Sequence, residues 1–357
     1  MDMKKAIGRI FFWFLAFIPI SFYFAIFTQN LTLTFITSTL ALIPLARIIG
    51  YSTKEIVLQT NPTWGGLVNA TFGNIIELII AIIALSNGLL AVVQASLVGS
   101  IIGNILLLIG ISIFFGGLKY KSQKFNKYSV GVSSTLLIIA VAGLVIPSVF
   151  SLTSHASVGQ IKILNYAVAA VMALIYFAGL IFSFVTHKYL FDPSDEIKAT
   201  HEKPIWSLKK SFIVLLFVTL LVAFESEFLV RGIESVTINW GLTQTFIGVV
   251  LIAIVTNIAE KANAIHFARE NKIDISIEIG LNSAIQIALF VVPVLVFISG
   301  IFNYGFSLVF STFELISIFL AVMIINYLSS DGECNWLEGA QLITVYLIII
   351  TAFYFIP

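Results

Sequence analysis

Of 357 residues, 59% are hydrophobic and 10% charged, and the mean hydropathy is +1.05; a soluble domain carries about 25% charged residues, so a polytopic membrane protein is indicated instead. A net charge of +1 without any basic tract offers nucleic acid nothing to hold. The one cysteine, Cys334, excludes an internal disulfide in this sequence.

Lys4, Lys5 and Arg9 precede an apolar run from about Ile10 to Phe27. It exceeds the roughly 7–15 residues of a signal-peptide core, and no A-x-A-like site follows, so it reads as a first transmembrane helix. Runs of the ~17–25 residues that a ~30 Å hydrocarbon core requires recur near 31–50, 63–86, 90–117, 129–150 and 162–186. After a polar loop they resume near 209–230, 243–268, 273–300, 307–328 and 336–356. The expected fold is all-α, with eleven transmembrane helices. These divide into an N-terminal helix (1–29), a first five-helix repeat (30–186), a cytoplasmic linker (187–208) and a second five-helix repeat (209–357).

With the N-terminus cytoplasmic, sixteen of the nineteen Lys and Arg fall on the inner side. Lys162 and Arg231 fall outside, and Lys261 lies within a span. This satisfies the positive-inside rule and predicts a multi-pass protein of the cell membrane.

A shift of 183 residues superposes Asn74 on Asn257, Glu77 on Glu260, Ser100 on Ser283 and Gly103 on Gln286. Five helices per half is an odd number, so the halves enter the membrane from opposite faces. Such an inverted repeat is a transporter device for placing a site at the bilayer midplane. A carboxylate at that depth costs roughly 2.5–3.5 kcal/mol, so two at equivalent positions call for a function.

On a helix Asn74 and Glu77 are i and i+3 and share a face, as do Asn257 and Glu260. The following helix of each half adds Ser100 with Asn104, and Ser283 with Gln286. This oxygen-only set, without His or Cys, suits a hard cation such as calcium and disfavours zinc or copper. Gly65, Gly66, Gly73, Gly99 and Gly103 around these residues fit either close helix packing or local helix breaks that free carbonyls.

The stretches Gly73-Asn74-Ile75-Ile76-Glu77-Leu78-Ile79 and Ser96-Leu97-Val98-Gly99-Ser100-Ile101-Ile102-Gly103-Asn104, with Asn257-Ile258-Ala259-Glu260 and Ser283-Ala284-Ile285-Gln286, resemble the two signature repeats of the calcium/proton exchangers, a branch of the calcium/cation antiporter superfamily. The resemblance spans essentially the whole chain. It implies exchange of calcium for protons, no cofactor and no enzymatic chemistry, with calcium, protons and the bilayer as the partners. The family pattern has Gly and His where this chain has Thr256 and Lys261, and Gly where it has Asn282. Lys261 either pairs with Glu260 or turns about 100° away toward Glu225, Glu227 or Glu278.

Two buried carboxylates are neutralised by one divalent cation or by two protons, which is the charge logic of obligatory exchange. The alternatives are a sodium-coupled exchanger, one for another divalent such as manganese, or a cation channel. An intramembrane hydrolase lacks a nucleophile and base. Elsewhere, Asp192, Asp195, Glu196 and Glu202 read as a solvated linker. Asp331, Glu333 and Glu338 read as a cytoplasmic mouth or as helix caps, and Glu225, Glu227 and Glu314 as acids facing water near helix ends.

Overall fold

Short polar side chains set where the helices begin. In the computed structural model, which describes residues 13–28, 30–60, 62–153, 157–187 and 204–356, Asn30 accepts the Leu33 N–H at the head of one long helix. Ser207 and Thr243 do the same for Lys210 and Phe246. Ser157 with Gln160, Ser311 with Glu314 and Asn335 with Glu338 form reciprocal capping boxes, each satisfying two end groups that no helix can satisfy internally. Gly241 and Asn303 close two helices in the left-handed conformation.

The helices are α1 (Phe17–Thr28), α2 (Leu31–Val57), α3 (Pro62–Phe72), α4 (Ile75–Ser86), α5 (Leu90–Gly117), α6 (Lys127–Thr153), α7 (Val158–Thr186), α8 (Leu208–Trp240), α9 (Gln244–Thr256), α10 (Ile258–Arg269), α11 (Ile273–Phe302), α12 (Thr312–Leu328) and α13 (Trp336–Phe355). Among the described residues seven are long and apolar enough to cross a membrane, or eight if α9 and α10, bent by 57°, count as one span. Phe17–Thr28, Ile75–Ser86 and Thr312–Leu328 are shorter apolar helices.

Two apolar runs expected as single helices are thus broken. The run near 63–86 divides into α3 and α4 at Gly73-Asn74, and that near 243–268 into α9 and α10 at Asn257. Helix α10 lies 183 residues after α4 at both ends, and α11 begins 183 residues after α5. Each of α5 and α11 carries a π-helical turn at the matching place, Gly103–Leu108 and Ile287–Val291. Other π-helical turns lie within α9 (Ile247–Ile252) and at the ends of α1 (Phe24–Thr28) and α7 (Phe182–Thr186).

Among the seven long spans of the described residues α5 is the most buried, and α7 keeps much of its surface outward. Glycines set how closely α5 approaches its neighbours. A Cβ at Gly99 would strike the Val249 main chain of α9, and one at Gly339 would strike the Phe114 main chain of α5. Around Gly103 there is open space. Close packing therefore explains Gly99, while Gly73 sits at a helix break, where a side chain would meet Asn69 and Gln286.

The long helices α2 and α8 pack along one another, and α1 lies against α2. Glu225 does not face water as expected. It is fully buried in α8, and the Ser21 hydroxyl of α1 donates to its Oε1 at 2.7 Å. Its Oε2 has no partner. Glu314 is likewise buried, held in its capping box by the Ser311 N–H at 2.9 Å. The partner of Glu225 is 204 residues away and invisible in local pattern, whereas that of Glu314 is local, a capping box at Ser311. Ser21→Ala, which leaves this carboxyl without a donor, is expected to cost about 1–3 kcal/mol, read as a fall of a few degrees in the unfolding temperature of the detergent-solubilised protein.

Loops are tied across the molecule. A two-residue strand Gln123–Lys124 pairs antiparallel with Glu333–Cys334. The Gln123 amide donates to the Ala268 carbonyl at 2.9 Å, and the Glu55 Oε2 accepts the N–H groups of Ile205 and Trp206 at 2.8 and 2.9 Å. Gln94 donates to the Val309 carbonyl at 2.8 Å, and Asn239 to the Thr32 hydroxyl at 2.8 Å. Burial, with Glu338, Asp331 and Asp274 nearby, pushes the Cys334 thiol up to about 12, which keeps it protonated and unreactive. The linker acids Asp192, Asp195, Glu196 and Glu202 lie outside the described residues.

Candidate functional site

Asn74 and Asn257 each occupy the cap position of the helix that follows a break, with φ and ψ of −113° and 31°, and −99° and 11°. Neither uses its side chain to cap that helix. Both amides are therefore available to the protein interior. The same geometry places Glu77 and Glu260 in the first turns of α4 and α10, where the unpaired N–H groups and the positive end of the helix dipole favour anionic oxygens.

The amides and hydroxyls of both halves join in one network. Asn74 Nδ2 donates to Gln286 Oε1 at 2.6 Å, while Asn74 Oδ1 accepts from the Ser283 hydroxyl at 3.1 Å. Asn104 Nδ2 donates to Ser283 Oγ at 2.8 Å and to Asn257 Oδ1 at 3.2 Å. Asn257 Nδ2 faces Ser100 Oγ at 3.3 Å, Thr256 Oγ1 at 3.0 Å and the Ala253 carbonyl at 3.1 Å. Four structural pieces meet here: the two breaks, α5 and α11.

Glu77 contacts the Thr256 hydroxyl and Glu260 that of Ser283, and the two carboxylates are close enough to interact electrostatically. Glu77, Asn74, Ser100, Asn104, Asn257 and Ser283 are buried. Glu260 and Gln286 are half-buried. Three polar atoms in this region are buried without a hydrogen-bond partner: Asn104 Oδ1, Glu260 Oε2 and Lys261 Nζ. Buried polar atoms are ordinarily paired, and exceptions ask for a reason.

All eight residues singled out from the sequence therefore gather in one place. Asn282 is exposed and does not join them. Thr256 does, although it stood out in the sequence only as a replacement for Gly; its position at the end of α9, facing Glu77, was not legible without the break. Lys261 is buried and interacts with Glu260 and Glu77 rather than with more distant acids. Glu225 is bonded to Ser21, Glu227 to Arg231 at 2.8 Å, and Glu278 to Ser129 at 2.7 Å.

Among the described residues no three His, Cys, Asp or Glu side chains assemble as a metal-ligand group. A cation held here would have to draw on two carboxylates and on neutral amide, hydroxyl and main-chain oxygens, a donor set for hard ions.

Ionisable groups buried between broken apolar helices, with irregular backbone lining a polar interior, define a membrane ion transporter. Its family is evident from comparison with known proteins. The chain belongs to the sodium/calcium exchanger protein family, whose model matches residues 30–185 and 210–355. It is 41% identical over 367 residues to a Ca(2+)/H(+) antiporter of Aphanothece halophytica, covering 98% of this chain and 97% of that one. It is 42% identical over 352 residues to the Ca(2+)/H(+) antiporter ChaA of Bacillus subtilis, covering 97% and 99%. The solved structure of native YfkE superposes with a TM-score of 0.84 at 38% identity, over 97% of this chain and all of that one.

Proposed function

We propose that the chain is a calcium/proton antiporter working by alternating access, with Glu77 and Glu260 as the charged ligands of a shared calcium and proton site. The observation that carries this reading is the pair of helix breaks at Asn74 and Asn257, each delivering one glutamate to a single buried network. Asn74, Asn257, Ser100, Ser283, Asn104 and Gln286 supply neutral oxygens. Two ionised carboxylates in a low-dielectric interior are costly alone and are neutralised by one calcium or two protons, so the site favours crossing when loaded. The names of the relatives point to the same ion pair.

Eleven membrane crossings, the N-terminus cytoplasmic, and two inverted five-helix repeats complete the proposal. The 183-residue recurrence of α4 with α10, and of the starts of α5 and α11, supports the repeat. So does a family match that falls into two blocks of similar length. On an eleven-span path, with each broken pair counted as one crossing, Glu55, Trp206, Gln123, Ala268 and Cys334 share one face, as their ties require. Thr32, Asn239, Gln94 and Val309 share the other.

The test is uptake of radioactive calcium into proteoliposomes under an imposed pH gradient, with and without a sodium gradient. Uptake driven by the pH gradient alone is expected. Uptake that requires sodium, or that proceeds as a channel-like leak without an opposing ion, contradicts the proton-coupled reading.

A further inference from the structure

Lys261 follows Glu260 in the first turn of α10, yet its long side chain remains inside the protein. Its ammonium has no hydrogen-bond partner, and the groups that interact with it are Glu260 and Glu77. A buried ammonium without water or acceptors is unfavourable unless negative charge compensates it. The other acids considered for this role are engaged elsewhere, Glu225 by Ser21, Glu227 by Arg231 and Glu278 by Ser129. The two glutamates of the cation site are left as its compensation. It stands near them without bonding to either, while Glu260 Oε2 also lacks a partner.

We propose that Lys261 is a tethered counter-cation of the transport site, which sets how tightly a divalent ion is held. This rests on Glu77 and Glu260 being the cation-binding pair. With both carboxylates ionised, the pair carries −2 and the ammonium +1, so the region holds a net −1 before any ion enters. A divalent cation bound between the carboxylates meets that ammonium as a like charge in a medium of low dielectric. Binding therefore requires the side chain to swing away, or proceeds against its repulsion. Either way affinity falls, and release into the opposite compartment is eased. The tether makes the competitor permanent: dilution cannot remove it, as it would a free ion.

The experiment compares calcium uptake kinetics of the full chain in proteoliposomes for the parent, Lys261→Met and Lys261→Arg. Methionine keeps much of the length and apolar stem and removes the charge. Lys261→Met is expected to lower the KM for calcium by about tenfold or more, as loss of a like charge at close range predicts, with kcat reduced because release is slower. Lys261→Arg keeps the charge and is expected to keep the parental KM. A merely structural lysine would instead raise KM, or lower kcat at unchanged KM, in the Met variant. Should Lys261→Met not purify as a monodisperse species, Lys261→Gln takes its place with the same expectation. An unchanged or higher KM in the neutral variant, beside a parent that transports calcium, overturns the role of Lys261 alone. A parent that moves no calcium overturns the antiporter reading itself.

Discussion

Glu77→Gln and Glu260→Gln are each expected to lower pH-driven calcium uptake by at least about 100-fold, equivalent to roughly 2.7 kcal/mol or more of lost interaction with the cation. Glutamine preserves size and a carbonyl oxygen, so the loss isolates charge from packing. The reason for so large an effect lies in the local sum. With Lys261 contributing +1, removing one carboxylate leaves the region with no net attraction for a divalent ion. Calcium binding followed by calorimetry in detergent should fall in parallel. Either variant retaining a third of parental uptake would show that its carboxylate is not a ligand. Glu77→Asp, which keeps the charge but retracts it by one methylene, is expected to fall between parent and Gln.

The second large effect is structural. Gly99 lies one residue before Ser100, at the crossing of α5 over α9, and a Cβ there would collide with the main-chain oxygen and Cα of Val249. Main chain cannot rotate aside as a side chain does, so Gly99→Leu must push the helices apart. Overpacking in a tight core costs about 1–3 kcal/mol and often more when backbone is the obstacle. A fall of about 10 °C in unfolding temperature is expected, or failure to recover folded protein. Gly103→Ala, four residues on and facing open space, should stay within a couple of degrees of the parent. Equal losses from both would mean that helix crossing at Gly99 is not the constraint. Because this crossing also sets the separation of Ser100 from Asn257, any Gly99 variant that folds should show weakened transport.

These two glycines show where sequence reasoning stopped. Both lie in one small-xxx-small stretch and are indistinguishable by composition, because what separates them is the element opposite, Val249 in one case and nothing in the other. The helix registers were more legible. The 183-residue echo recurs in the ranges of α4 and α10, since periodicity is a local property of the chain. The expectation that each asparagine shares a helix face with its glutamate is not met, because Asn74 and Asn257 lie at the breaks with non-helical φ and ψ. That both runs break at the asparagine was open between two readings, and the π-helical turns carried no signal that was read.

The hardest residues were ionisable ones whose partners are remote. Glu225 looked like an acid near a helix end, but its hydrogen-bond partner, Ser21, is 204 residues away. Lys261 faced two choices that differ only in the direction of a flexible side chain. The pairing of Gln123–Lys124 with Glu333–Cys334 involves two residues per strand, too few for any alternation to register.

The hydrogen bonds of the amide network decide which oxygens lie open to an ion. Asn74, Asn257 and Gln286 each have their carbonyl oxygen satisfied by a donor inside the protein. These three oxygens are thus solvated by the protein itself, whereas Asn104 Oδ1 is left without a donor. A cation that took one of the three would displace its hydrogen-bond donor and leave that N–H or O–H to find another acceptor, so occupancy there carries a hydrogen-bond cost. The network leaves one neutral oxygen, Asn104 Oδ1, without a partner beside the charged groups Glu260 Oε2 and Lys261 Nζ. On the proposed reading, the open oxygens of Asn104 and Glu260 are the ones an ion reaches without breaking a hydrogen bond.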